Sequence, residues 1–265
     1  MYDFTKKVAV VTGAASGLGF AIADRLTREG ATVALLDRDP ESLERATENL
    51  RGNDANVIGV VADVSSGTAV DGAVAEVEAQ LGPIDYLVNN AGIVVIKPYV
   101  EHSDEDFDRQ VAVNLRGVHL LMRRVLPAMV ERGMGAVVNI SSAAALHYTV
   151  PHAAYAASKA GVIALTRDVG FEVARFGVRV NGVAPGLIAV ERSATKVPYL
   201  ASQTAATGTG LSTGTTTRPL GHGRPEDIAD AVAFLLSDQA RFIIGVTIPV
   251  AGGTDLQVTM AFPGE

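Results

Sequence analysis

The chain has 265 residues, with 22 Lys and Arg against 29 Asp and Glu, a net charge of −7 at neutral pH. It has no cysteine, which excludes thiol catalysis, Cys-ligated zinc, iron–sulfur clusters and a disulfide-stapled scaffold. The acidic balance without a Lys/Arg stripe argues against a nucleic-acid binder, and 5% aromatic residues leave few platforms for base stacking.

The chain opens on Lys6, Lys7 and a mostly apolar stretch that superficially resembles a signal peptide. Thr12, Ser16 and glycines 13, 17 and 19 interrupt it, so it reads better as a strand, VAVVT (8–12), followed by a helix over 17–29. No run of 18 apolar residues is present. The expectation is a cytoplasmic chain without a membrane span. Between strand and helix lies Thr12-Gly13-Ala14-Ala15-Ser16-Gly17-Leu18-Gly19. Glycines there permit a tight turn and the approach of a pyrophosphate to the helix N-terminus. No lysine follows as in a Walker A loop, which disfavours nucleotide hydrolysis.

The second strand (31–37) ends in Asp37, 18 residues after Gly19. A carboxylate at that place can accept hydrogen bonds from both adenosine ribose hydroxyls and would repel a 2′-phosphate. A helix over 40–51, a strand over 56–63, a helix over 66–80 and a strand over 84–90 continue the rhythm. The acidic run Glu101-His102-Ser103-Asp104-Glu105-Asp106 reads as a helix start, Ser103 capping with Asp106, rather than as a metal cluster. The following helix spans 104–130. Its Arg116, Arg123 and Arg124 read as a solvated or subunit-facing surface.

A strand over 135–141 leads to Ser142, and a helix over 155–176 carries Tyr155 and Lys159 at i and i+4, hence on one face. A phenol titrates near pH 10, and neighbouring positive charge lowers that value, so Ser, Tyr and Lys together suit proton transfer. His147 and His152 flank this group, on the presumed substrate side. The strand over 178–184 is followed by residues 187–217, which hold eight Thr and three charges and read as a substrate loop or lid. An apolar run over 242–250 gives the last strand. Seven continuously apolar strands alternating with six helices predict one domain over 1–265, a Rossmann-type doubly wound α/β fold with a parallel sheet covered on both faces. The five histidines have no ligand spacing, so no metal is expected.

These motifs together resemble the short-chain dehydrogenase/reductase family along nearly the whole chain. The family's glycine loop falls on Thr12–Gly19, including Gly13, Ser16, Gly17, Leu18 and Gly19. Its NNAG segment is Asn89-Asn90-Ala91-Gly92, its YxxxK pair is Tyr155 and Lys159, and its PG motif is Pro185-Gly186. Asp63-Val64 matches the pair that contacts adenine, Asn114 the active-site Asn, and Ser142, rather than Ser141, the active-site Ser. The resemblance implies NAD as cofactor and Tyr155 as general acid/base. It also implies Ser142 as the group orienting the substrate oxygen, Lys159 as ribose ligand and modulator of Tyr155, and Asn114 as holder of a relay water. It implies a homotetramer, paired through helices 104–130 and 155–176 and through 242–265.

Two positions depart from the family pattern. Val190 stands where a Thr often bonds the carboxamide, leaving the backbone at Ile188 to hold it, and Ala251 replaces the Asp of VDGG. The expected reaction is the interconversion of a secondary alcohol and a ketone. The mostly uncharged Ile93–Ile96 and 187–217 point to a small neutral substrate. The alternatives are a 3-oxoacyl carrier-protein reductase, which Asp37 and the net charge oppose, a dinucleotide-sensing binding protein, which would have lost Tyr155 or Lys159, and a structural subunit, which leaves the Ser–Tyr–Lys set unexplained.

Overall fold

The computed structural model describes residues 2–53, 55–147, 151–189 and 220–253. In chain order these form β1 (Val8–Thr12), α1 (Gly17–Arg28), β2 (Thr32–Asp37), α2 (Pro40–Arg51), β3 (Val57–Val61), α3 (Gly67–Leu81) and β4 (Tyr86–Asn89). There follow α4 (Asp104–Val111), α5 (Gly117–Arg132), β5 (Gly135–Ile140), α6 (Ala153–Ala174), β6 (Val178–Pro185), α7 (Pro225–Leu236) and β7 (Thr247–Val250). The strands form one seven-stranded sheet in the order β3-β2-β1-β4-β5-β6-β7. Every pairing is parallel. The expected Rossmann-type architecture is therefore present.

Alternation along each strand divides the core. Ala9 and Val11 of β1 pack with Ile22 and Leu26 of α1, Leu43 of α2, and Ile228 and Val232 of α7. Val8 and Val10 face the other way, toward Val74 and Val77 of α3, Leu121 and Val125 of α5, and Val162 of α6. This two-sided burial explains the unbroken apolar reading of the strands. Arg179 on β6 joins one layer to the sheet, its guanidinium donating to the carbonyls of Leu235 and Leu236 at the end of α7 (2.6 and 2.9 Å) and of Ser237 (3.1 Å). A cation there answers the negative end of the helix.

Two expected elements are corrected. The helix over 104–130 is interrupted: a π-helical segment, Ala112–Arg116, separates α4 from α5, with Gly117 N–H bonding to Ala112 C=O. Such an i→i+5 turn leaves no trace in apolar spacing and is frequent at functional sites. The strand over 242–250 shortens to Thr247–Val250. Gly245, at φ 67°, breaks the extended run, and the Asn181 side chain bonds Ile243 C=O (2.8 Å) and Val246 N–H (3.3 Å) instead. Phe242 is left 99% exposed.

The acidic run is a helix cap, as expected. Ser103 accepts from Asp106 N–H and the Asp106 carboxylate accepts from Ser103 N–H, with Lys97 paired to Asp106. Arg116 donates to Ser65 C=O, and Arg124 faces Asp71 and Glu78 of α3 (3.9 and 3.7 Å). Most of the presumed lid, and Val190 with it, lies outside the described residues. Near its start Ile188 bridges Gly223, beyond its end, in parallel, and Ala189 N–H bonds Gly223 C=O at 2.9 Å. Among the described residues no helix is long and apolar enough to cross a membrane.

Candidate active site

A cleft of about 460 Å³ runs across the carboxyl ends of the strands, where the chain order reverses between β1 and β4. Open α/β sheets place their ligands at such a switch point. After β1 the chain turns at Gly13, φ 62°, where a Cβ would lie 2.9 Å from the Ala91 backbone. Gly13, Ser16, Gly17 and Leu18 line the cleft. Gly19 is not among the described lining residues. A Cβ on it would lie 2.2 Å from Gly13 C=O, so its bareness lets α1 close onto the loop. Ser16 is the N-cap of α1 but makes no side-chain cap bond.

Asp37 stands at one end of the cleft. Its carboxylate accepts from Ala15 N–H and Asp39 N–H, both at 3.2 Å, and retains acceptor capacity. Arg38 lines the wall beside it. Asp63 and Val64 lie near, with Asp63 accepting from Ser65 N–H (2.9 Å) and Oγ (2.7 Å). The Ser65 hydroxyl and amide hold that carboxyl below its ordinary range, the Arg38 cation assisting. Asn90, Ala91 and Gly92 form the middle of the floor, and Pro185, Gly186 and Ile188 the opposite wall. Gly186 packs on the backbone of Ala251, where a Cβ would lie 2.7 Å away; nothing in the structure explains the missing carboxylate at that position.

Ser142, Tyr155 and Lys159 meet at the other end. The Ser142 hydroxyl lies beside Tyr155 and favours its ionised form, and Lys159 Nζ lies 5.9 Å from the Tyr155 ring centre. Ser142 also accepts from Ala144 N–H at 3.1 Å, which fixes its rotamer. The neighbouring Ser141 is buried, and its hydroxyl donates to Lys159 C=O at 2.9 Å. His152 stands edge-on to Tyr155, ring centres 6.3 Å apart. Asn114 is fully buried on the π segment. Its side chain bonds Ile93 on both sides and donates to Ser158 Oγ at 3.0 Å. It therefore braces the wall of the site rather than lining the cleft.

The sequence model of the short chain dehydrogenase family matches residues 7–199. The chain belongs to this family. Levodione reductase from Leifsonia aquatica is 38% identical over 256 residues, covering 94% of each chain. Among solved structures, NAD+-bound xylitol dehydrogenase superposes with a TM-score of 0.87 at 34% identity, covering 94% of this chain and 99% of the other. An actinorhodin polyketide ketoreductase variant with NADPH reaches 0.88 at 35% identity, covering 94% and 97%.

Sequence reasoning passed over several residues that shape the site of this short chain dehydrogenase. Ser158 links Asn114 to Tyr155 C=O (2.7 Å), and its place beside Lys159 was the only signal for it. Gln110, discussed below, gave none. Lys159 is 3% exposed and its ammonium donates to Ile140 C=O at 2.8 Å. Burial lowers its pKa from 10.5 to about 8, because a charged group loses hydration there. Burial raises the Tyr155 pKa, and the Ser142 hydroxyl opposes that rise.

The Lys159 shift has a definite sign in stability. The folded chain releases this proton at lower pH than the unfolded chain, so folding gains as pH rises from about 8 toward 10.5. Urea unfolding of wild type and Lys159→Met should diverge across that window in favour of wild type. A difference that stays flat or falls contradicts the burial of a charged ammonium.

Proposed function

We propose that this short chain dehydrogenase is an NAD-dependent oxidoreductase interconverting a secondary alcohol and a ketone, with Tyr155 as general acid/base. The observation that carries the reading is that Ser142, Tyr155 and Lys159 line one end of a cleft whose other end is Asp37, with Lys159 Nζ 5.9 Å from the Tyr155 ring centre. The residues present suit a dinucleotide. Gly13 leaves backbone room that a Cβ would fill, the first turn of α1 lacks a side-chain cap, and Asp37 offers acceptors. Gly13, Ser16, Gly17 and Leu18 would hold the pyrophosphate, Asp37 the adenosine ribose, Asp63 and Val64 the adenine, and Lys159 the nicotinamide ribose. Asn90, Ala91, Gly92, Pro185, Gly186 and Ile188 would frame its nicotinamide half. When bound, the nicotinamide supplies the hydride acceptor or donor.

The chain's own residues handle the proton. Burial keeps the Tyr155 phenol protonated at neutral pH, the form that donates to a ketone oxygen as it becomes a hydroxyl. In the oxidative direction the phenol must first ionise, and nearby positive charge, including a protonated Lys159, favours that. Ser142 donates a hydrogen bond to the substrate oxygen and keeps it within reach of Tyr155 Oη. Asn114 fixes Ile93 and Ser158, steadying the tyrosine's helix turn against the wall. A relay water at Asn114 would return the proton to solvent.

The substrate end supports a small neutral ligand. Ile93, Val94, Val113, Leu187 and Ile188 line it, whereas Asp37, Arg38, Asp39 and Asp63 gather at the far end. The name of the levodione-reducing relative supports carbonyl chemistry. Tyr155→Phe should leave NADH binding intact and lower turnover by at least about 10²-fold; activity above a tenth of wild type would remove Tyr155 from the proton step.

Asp37 is the proposed selector of NAD over NADP. Two charge-assisted hydrogen bonds, at about 1.5–3 kcal/mol each, amount to at least about a hundredfold preference. Comparing kcat/KM for both cofactors in wild type and Asp37→Ala checks this. A wild type that prefers NADP, or a preference unmoved by the substitution, overturns it.

A homotetramer is the proposed assembly. Val111, Leu115, Gly161, Ala164 and Leu165 form a shallow apolar groove between the α4–α5 face and α6, and Phe171 and Phe242 are exposed at 81% and 99%. Light scattering should give four times the 27.5 kDa subunit mass, and a monomer at micromolar concentration contradicts it.

A further inference from the structure

Residues 91–96, which follow β4, have no regular secondary structure, so their backbone polar groups need other partners. The neighbouring helix supplies them from its side chains. Asn114 Oδ1 accepts from Ile93 N–H at 2.8 Å, and its Nδ2 donates to Ile93 C=O at 2.9 Å. Gln110 Oε1 accepts from Val95 N–H at 3.0 Å. Asp106 pairs with Lys97. The partners step by two along the extended segment and by four along the helix, in opposite directions. The spacings agree, since two extended residues cover about 6.6 Å and four helical residues about 6 Å. Segment and helix thus form a ladder of three rungs.

The middle rung is unlike its neighbours. Lys97 and Asp106 stand near the rim, and Asn114 also serves Ser158. Gln110 is fully buried, its oxygen bound to Val95 and its Nε2 donating to Asp106 C=O at 3.2 Å. An amide in that position is tolerated because its hydrogen bonds are made. Ile93, on the Asn114 rung, and Val94, between that rung and the Gln110 rung, line the same cleft as Ser142 and Tyr155. The geometry points to Gln110 as a positioning residue for substrate. By fixing the Val95 amide it sets where Ile93 and Val94 stand, and hence which alcohol or ketone fits against Tyr155. This rests on the oxidoreductase reading above, and it assigns selectivity to a side chain that touches neither substrate nor cofactor.

The test uses the full-length chain. Gln110→Met keeps length and removes the strong acceptor and the donor, whereas Gln110→Glu keeps an oxygen for Val95. Hydrogen–deuterium exchange on peptides spanning 91–98 should show Val95 N–H protected in wild type, exchanging at least tenfold faster in Gln110→Met, and close to wild type in Gln110→Glu. A Val95 amide already unprotected in wild type overturns the ladder. In steady-state kinetics with two secondary alcohols differing in bulk, Gln110→Met should change their kcat/KM ratio at least fivefold, through substrate KM, with KM for NAD within twofold. Gln110→Glu should keep the ratio within twofold. Val94→Ala should add little to that change in the Gln110→Met background, since coupled residues are non-additive. A ratio unchanged in Gln110→Met, or full additivity with Val94→Ala, reduces Gln110 to a structural role and overturns the proposal. Should Gln110→Met not fold, Lys97→Met removes the outer rung and should move the ratio at least twofold; an unmoved ratio overturns the proposal equally. A wild-type chain with no turnover on any alcohol or ketone refutes the oxidoreductase reading instead, while the exchange result still decides the rung.

Discussion

The cleft depends on a single buried hydroxyl. Thr12 Oγ1, at the end of β1, accepts from Asn90 N–H (3.0 Å) and Ala91 N–H (2.9 Å) and approaches Val88 C=O at 3.4 Å. Asn90 returns the link, its amide donating to the carbonyls of Thr12 (2.9 Å) and Gly13 (3.2 Å). The two chains that leave β1 and β4 in different directions are thereby tied at their point of divergence. Leaving even one buried N–H unpaired costs about 1–3 kcal/mol, so the knot holds the glycine loop and the Asn90–Gly92 floor in one fixed relation. From that floor run the 91–96 segment, its side-chain rungs and the wall beside Tyr155.

Charge is handled differently at the two ends of the cleft. At the Asp37 end, carboxylates sit near the surface and are steadied by backbone and hydroxyl donors. At the other, Lys159 is driven into the interior and its burial shifts its proton affinity toward neutral pH. The phenol beside it is shifted the opposite way by the same burial. A pair of groups whose titrations, ordinarily close together near 10, are pushed apart by their surroundings can take distinct roles in holding and passing a proton. It is also costly to fold around, which explains why the Ile140 carbonyl and Ser141 hydroxyl are spent on holding Lys159 in place.

The sequence made visible whatever is local. The strand-to-helix glycine loop, Asp37 at a strand end, the Ser103–Asp106 cap and the four-residue step from Tyr155 to Lys159 each lie within one turn or junction, and each stands where expected. What depends on contacts between distant segments was hidden. Gly19 has the same composition signature as Gly13, yet what its missing Cβ makes room for is the Gly13 carbonyl across the loop. The π segment at Ala112–Arg116 rests on a change of backbone hydrogen-bond register that no residue type signals, so 104–130 read as a single helix. Asn181 redirects the run before β7 through a side chain 65 residues from its partner Val246, and no spacing rule reaches that far. Gln110 looked like any polar residue on a helix, because its burial comes from an irregular segment that has no pattern of its own.

The bridge between Ile188 and Gly223 bears on how such a chain can diversify. It closes the chain at the base of the substrate loop, beside β6, whose Arg179 grips the end of α7. Joining two points of a chain that are pinned together in this way costs only about 0.6 kcal/mol more for each doubling of the length between them. A change of length between the two pinned points therefore places little demand on β6, α7 or the Ser142–Tyr155–Lys159 cluster. What fixes the sheet at this edge is thereby kept apart from the length of chain that joins Ala189 to Gly223.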